Sequence, residues 1–330
     1  MAEKTQDSKT FTNLLGIELP IICGAMYPCS NPELVAAVSE AGGMGIVQPL
    51  SLTYVYGYDF REGLRYIRSL TQKPIGVNLI IEQSSQRYSD RVRSWLDIAL
   101  DENVEFFVTA LGKPDWVVNK TNPAGAIVFH DVTNNHWAEK ALDCGVDGFI
   151  CVNNRAGGHA GQLSQEQLFE DLSTFQKPLV CAGGIGSPET FNQALQMGYA
   201  GVQMGTRFIA STECVAHTDY KQAIIEAQED DIVLTERITG ISVSVIETPY
   251  IKRVGTKAGP IAKWLLKGKK TKHWMRMIYS LQSIWLLKKA SLKGMNYKDY
   301  FQAGKSVEGI HAVKSVTEII AEYSSVLSRS

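Results

Sequence analysis

The chain has 330 residues, 45% of them hydrophobic and 20% charged, with a formal net charge of −1. That length suits one large domain with an appendage or two ordinary domains, and the near-neutral charge gives no global bias toward nucleic acid. No apolar run approaches the roughly 18–20 residues of a spanning helix, and the start MAEKTQDSKT is polar without an apolar signal core, so a cytoplasmic protein is expected.

In chain order, the first strand-like run is IICGAM at 21–26, followed by the helix pattern NPELVAAVSEAGG with Asn31 as cap and Pro32 in the first turn. The next runs are MGIV at 44–47, IGVNLII at 75–81, VEFFVTA at 104–110, GAIVFH at 125–130 and VDGFICV at 146–152. Then come PLVCAG at 178–183, the helix SPETFNQALQMG with Ser187 as cap and Gly198 as terminator, and AGVQMG at 200–205. Each run is too short for a core helix and rich in Val, Ile and Phe, as buried strands are. Eight such strands alternating with amphipathic stretches predict a (β/α)8 TIM barrel, with an open doubly wound sheet as the rival. The cluster Gly42-Gly43-Met44-Gly45 precedes a strand and does not lead from a strand into a helix, which weakens a dinucleotide-fingerprint reading. Cys23, Cys29, Cys144, Cys151, Cys181 and Cys214 are scattered, with no C-x-x-C pair and no zinc-like spacing; they read as reduced, mostly buried thiols, and no metal site is expected.

In such a barrel, chemistry sits at the C-terminal ends of the strands. This selects Met26, Gln48, Asn78, the loop after Ala110, His130, the loop from Asn153 to His159, Gly183-Gly184 and Gly205-Thr206. Glycines after the seventh and eighth strands let backbone N–H groups approach an anion, and helices starting near Ser187 and Thr206 add positive ends, so a phosphate is expected there. The loop VNNRAGGHAG, 152–161, brackets one histidine with glycines and makes His159 the candidate for chemistry.

Several stretches together cover most of the chain and resemble the nitronate monooxygenase family, which includes the similar flavin-dependent enoyl-ACP reductase. They are LGIELPIICGAM, LVAAVSEAGGMGIV, IRSLTQKPIGVNLII, RAGGHAG, LVCAGGIGSPETFNQALQMGYAGVQMGTRFIASTE and YFQAGKSVEGIH, in the family's order. The resemblance implies an FMN over the barrel mouth. Ala25 and Met26 would border its ring, Asn78 would hydrogen-bond it, Gly183, Gly184, Gly205 and Thr206 would bind its phosphate, and Gly158 would lie beside it. It places His159 near the reactive face, where a neutral imidazole takes the proton next to a nitro group or hydrogen-bonds substrate oxygens.

The chain departs from the family at two places. The usual loop reads Gly-x-Glu-Ala-Gly-Gly-His, whereas Asn153 stands here at the glycine and Arg155 at the acid. Both are candidate substrate contacts; the other reading has Arg155 pointing outward to pair with a surface carboxylate. The run 251–298 contains no Asp or Glu and includes Lys267, Lys269 and Lys270 with Trp264, Trp274 and Trp285 interleaved. From Trp274, the apolar positions Met277, Ile278, Leu281, Ile284 and Trp285 follow helical spacing. Such a surface suits an anionic membrane, an acidic carrier protein or a phosphate-bearing ligand such as coenzyme A or NADPH, and equally a lid over the barrel. No nucleic-acid partner is expected, and the oligomeric state stays open.

The organisation expected is an FMN-binding barrel over 11–245, closed by the C-terminal helix 306–328, with a basic helical lid-like insertion at 246–305. The activity expected is FMN-dependent oxidation of small-molecule alkyl nitronates with oxygen to a carbonyl compound and nitrite. The alternative is a reductase that draws on NAD(P)H as electron donor and acts on an enoyl thioester or quinone.

Overall fold

The computed structural model describes residues 2–82, 86–237, 242–257, 286–293 and 300–327. All eight expected strands form: β1 (Ile21–Cys23), β2 (Met44–Val47), β3 (Ile75–Ile80), β4 (Phe106–Ala110), β5 (Ile127–Val132), β6 (Gly148–Val152), β7 (Leu179–Ala182) and β8 (Gly201–Met204). Each pairs in parallel with the next, and β8 pairs with β1, closing a (β/α)8 TIM barrel. The strands read as continuous apolar runs because one face fills the barrel and the other packs under helices.

Helices α2 (Pro32–Glu40), α3 (Phe60–Leu70), α4 (Gln86–Asp101), α5 (Asp115–Thr121), α6 (Asn135–Leu142), α7 (Gln165–Leu172) and α8 (Pro188–Met197) follow the first seven strands. After β8 come a single turn, α9 (Thr206–Ile209), and α10 (Thr218–Glu226). The terminal α12 (Val316–Leu327), which follows α11 (Pro249–Val254), packs between α8 and α2 and completes the outer ring. It begins well inside the 306–328 span, since Lys305–Gly309 forms a separate 3-10 turn.

Ser187 caps α8 as its sequence predicts, accepting a hydrogen bond from Thr190 N at 3.4 Å, and Gly198 ends it at φ 117°. Asn31 occupies the N-cap position of α2 without capping it. Its side chain instead donates to Glu33 Oε2 and to the Glu213 carbonyl and accepts from Val215 N, tying α2 to the segment after β8.

Strand register sorts the inward-facing residues into layers. Ile22, Gly76, Phe129 and Val180 come from the odd strands; Ile46, Val108, Ile150 and Gln203 lie above them from the even strands. The next odd-strand layer, just beneath the mouth, holds Gly24, Asn78, Asp131 and Ala182. Lower down, Gly148 makes room for Phe129, whose Cζ would lie 2.4 Å from a Cβ added there. The bottom is stoppered by α1 (Ala2–Leu15), a helix with little sequence signal, whose buried Phe11 reaches the ring of Phe129 at 6.0 Å between centroids.

A smaller unit stands at the mouth. Strands β9 (Ile232–Thr235) and β10 (Val243–Ile246) form an antiparallel pair that the sequence reading missed. Val243 and Val245 share a core with Ile251 of α11, Leu286, Leu287 and Tyr300, against which Tyr27 from the loop after β1 packs. Of the acid-free run, residues 251–257 and the helical 286–293 are described; Lys267, Lys269, Lys270 and the three tryptophans lie outside the described residues. Lys288 Nζ donates to the Tyr54 carbonyl at 3.0 Å. Among the described residues no helix is long and apolar enough to cross a membrane.

Candidate active site

The loops at the C-terminal ends of the strands converge on the top layer. After β1, Met26 is half-buried; its N–H donates to Ser30 Oγ at 2.8 Å, and its Sδ lies 3.4 Å from where a Cβ on Gly205 would stand. Ala25 precedes it and is likewise half-buried. On β3, Asn78 faces into the barrel, buried, and its Nδ2 donates to the Val108 carbonyl at 3.3 Å. Gln48 has a structural duty: its Oε1 accepts from Ser51 N at 3.1 Å and fixes the turn that follows β2.

His130 was expected at the mouth. It registers with outward-facing Phe149, and its Nδ1 lies 2.8 Å from Thr109 Oγ1 in the wall between strands and helices. Burial there pushes its pKa down to about 4. The inward residue is its neighbour Asp131, which registers with Ile150. Asp131 Oδ1 is shielded from solvent and has no hydrogen-bond partner among the described residues, and burial pushes the carboxyl up to about 7. The sequence held this signal in the period-two alternation of IVFHDV, which puts Ile127, Phe129 and Asp131 on one face.

The loop after β6 is held from several sides. Buried Asn153 is its clamp: Nδ2 donates to the Gly183 carbonyl at 3.0 Å, Oδ1 accepts from Arg155 N at 2.8 Å, and its carbonyl accepts from Gly161 N at 3.1 Å. Arg155 pairs with a carboxylate, its Nη1 and Nη2 reaching Glu229 Oε1 and Oε2 at 2.8 and 2.5 Å, while Lys305 joins Glu229 at 3.2 Å. Burial alone would raise the pKa of Glu229, but the hydrogen bonds from Arg155 and Lys305 outweigh it and hold the carboxyl below its ordinary value. Of the two readings of Arg155, the carboxylate pair is the one present.

Gly157 lets residues 303–304 approach, since an added Cβ would lie 3.0 Å from Gly304 N. Gly158, at φ 68°, accepts a hydrogen bond from Ser244 N of β10 at 2.7 Å and has open space where a side chain would go. His159 stands on the rim, exposed, and makes no hydrogen bond among the described residues. The protein around it desolvates the charged form and lowers its pKa, so the imidazole is neutral at pH 7.

Beside this loop lies a cradle built by β7, which pairs with β6, and β8. Gly183 and Gly184 take φ 119° and 81°, and a Cβ on Gly183 would meet Asn153 Oδ1 at 2.3 Å. The N–H groups of Gly184 and Thr206 find no acceptor among the described residues. Buried Thr206 accepts from Gly304 N through Oγ1 at 3.1 Å, and Arg155 Nε lies 2.7 Å from the Cβ direction of Gly184. Free N–H donors on side-chain-free backbone, a hydroxyl and a nearby guanidinium fit a phosphate group.

Comparison with known proteins identifies the family. The nitronate monooxygenase family profile matches residues 8–325. A curated relative from Rhodococcus jostii strain RHA1, (3aS,4S,5R,7aS)-5-hydroxy-7a-methyl-1-oxo-octahydro-1H-indene-4-carboxyl-CoA dehydrogenase, is 25% identical over 90% of this chain and 89% of its own length. The nitronate monooxygenase of Pseudomonas aeruginosa is 29% identical over 70% of this chain and 78% of its own. FabK from Thermotoga maritima superposes with a TM-score of 0.77 at 27% identity, covering 97% of both chains. Nitroalkane oxidase from Streptomyces ansochromogenes, at 20% identity and a TM-score of 0.75 over 97% of this chain and 99% of its own, shares the fold. The chain belongs to the nitronate monooxygenase family and is an oxidoreductase.

Proposed function

We propose that the protein is an FMN-dependent oxidoreductase of the nitronate monooxygenase type, converting an alkyl nitronate with oxygen to a carbonyl compound and nitrite. The observation that carries this is His159, a neutral imidazole without a partner among the described residues, on a rim loop that packs against a phosphate-fitting cradle. Gly183, Gly184, Gly205 and Thr206 would hold the FMN phosphate; Ala25, Met26, Asn78 and Gly158 would surround its ring. Bound FMN would supply the electron acceptor for the substrate and the route from there to oxygen.

The chain's own part is binding and proton handling. His159 accepts the proton from the carbon next to a nitro group, or donates to the nitro oxygens once the nitronate is present. The clamp of Asn153 and the ion pair of Arg155 with Glu229 fix the loop that carries it. The unit around β10 narrows solvent access by bonding to Gly158.

A second reading, an acyl-CoA substrate, is favoured by the two curated acyl-CoA dehydrogenases, which match 90% and 81% of this chain. Proton removal next to a thioester carbonyl or within an activated ring asks the same of His159. The basic run 251–298 suits the phosphates of coenzyme A, an acidic carrier protein or an anionic membrane surface, and NADPH would suit it in the reductase alternative.

Absorbance of the purified protein separates these readings. Oxidised flavin bands that bleach anaerobically with a propyl nitronate, together with nitrite released in air, support the first. Bleaching by acyl-CoA esters moves the substrate to the second, and rapid bleaching by NADH or NADPH moves it to the reductase. A colourless protein that takes up no FMN overturns the cofactor assignment.

A further inference from the structure

Asp131 stands apart from the other residues at the mouth. Its layer-mates Gly24, Asn78 and Ala182 are small or neutral, and its registered neighbour Ile150 is apolar. A carboxyl among such groups lacks a local reason to be there: no lysine or arginine is paired with it, and Oδ1 lacks any hydrogen-bond partner among the described residues. Serving the barrel core is excluded as a reason, because an unpartnered buried polar atom destabilises the state that contains it. The side chain is only partly exposed, and within a closed barrel stoppered at the bottom by Phe11 that exposure opens at the mouth. Asn78, in the same layer two strands away, has its Nδ2 held by Val108 and no hydrogen bond at Oδ1 among the described residues. The top layer thus presents two polar side chains upward and two residues without bulk between them.

We infer that Asp131 is a ligand-contacting residue of this site, whose carboxyl hydrogen-bonds the planar polar group seated on the top layer, in partnership with Asn78. The inference rests on the FMN reading and deepens it, since that layer is the floor on which the ring would lie. Desolvation lifts the carboxyl to about 7, so a substantial share of it carries at neutral pH the proton that donation needs. The same isolation explains why the group is tolerated: the missing partner arrives with the ligand.

The test is equilibrium binding of FMN to flavin-stripped wild type, Asp131→Ala and Asp131→Asn, with the visible spectrum of each complex and the melting temperature of each ligand-free protein. Asp131→Ala should bind FMN 10- to 100-fold more weakly with a displaced absorbance maximum. Asp131→Asn, which keeps a donor at the same place, should lie within about fivefold of wild type. Both ligand-free variants should melt at or above the wild-type temperature, which separates a contact from a structural role. Equal affinity and an unchanged spectrum for Asp131→Ala overturn the role of Asp131 while leaving the cofactor reading intact. A wild-type protein that takes up no FMN overturns the cofactor reading and this inference with it.

Discussion

Arg155 and Glu229 meet through two parallel hydrogen bonds, at 2.8 and 2.5 Å, joining the loop after β6 to the turn after α10. Both side chains are about one-third exposed, at 34% and 30%, so solvent screens much of the attraction. Arg155→Met and Glu229→Gln, combined in a double-mutant cycle of thermal or urea unfolding, should show a coupling of about 0.5–1 kcal/mol. The larger effect should be kinetic: each single variant loosens the loop carrying His159 and lowers kcat/KM by about tenfold.

His159→Ala should leave flavin bound and the melting temperature nearly unchanged while kcat/KM falls by about 10²- to 10⁴-fold. Because the surrounding protein desolvates the charged imidazole and lowers its pKa from the ordinary 6.5, a base at this position is already active at pH 7. A profile of kcat/KM against pH on a neutral nitroalkane should rise with a midpoint below 6.5 and be flat above it. A midpoint near 8 would assign the proton to another group.

The carboxyl of Asp131 gives the ligand-free protein a measurable pH signature. Its pKa rises from 3.8 unfolded to about 7 folded, so between these values the native state holds a proton that the unfolded state has lost. Stability contributed by this group is therefore full below about pH 4 and declines as pH rises to 7. The unfolding free energy of wild type minus that of Asp131→Asn should fall by on the order of 2–4 kcal/mol across that interval and then level off.

Gly183→Ala tests the cradle. An added Cβ would stand 2.3 Å from Asn153 Oδ1 and 2.6 Å from Ala156 N, at a φ of 119° that side chains rarely adopt. The expected loss is ~2–3 kcal/mol of stability, with flavin occupancy falling alongside because the Asn153 clamp must shift.

Phe11→Ala separates the two ends of the barrel. Phe11 is 1% exposed and packs beneath Phe129, so its truncation should cost about 3–5 kcal/mol. The affinity for FMN, measured well below the melting transition, should stay within about twofold, since the residue lies at the opposite end from the top layer.

The barrel was legible because each of its strands is a continuous apolar run, and runs buried on both faces leave that trace whatever the neighbours do. Ser187 and Gly198 were legible for the same local reason, each meeting a backbone requirement of α8. Elements whose burial depends on distant partners were not. Helix α1 offers little more than Phe11, Leu14 and Leu15, and the barrel floor provides its reason to fold. Strands β9 and β10 are four residues each, and they depend on a core with Ile251, Leu286 and Tyr300 and on backbone bonds to Gly158 and Phe301. At the site, His159 and the paired glycines were marked by composition, whereas choosing between His130 and Asp131 required knowing which face of β5 turns inward. Asn31 shows the same limit: residue type suggested a cap, and tertiary hydrogen bonds drew its side chain into internal ties.

The stopper at the foot of the barrel makes the molecule a cup and not a pipe. Whatever settles on the floor formed by Gly24, Asn78, Asp131 and Ala182 has its back to a wall of packed rings and its face to the barrel mouth. Ligands that both need that floor occupy it in turn, each waiting for the other to vacate it.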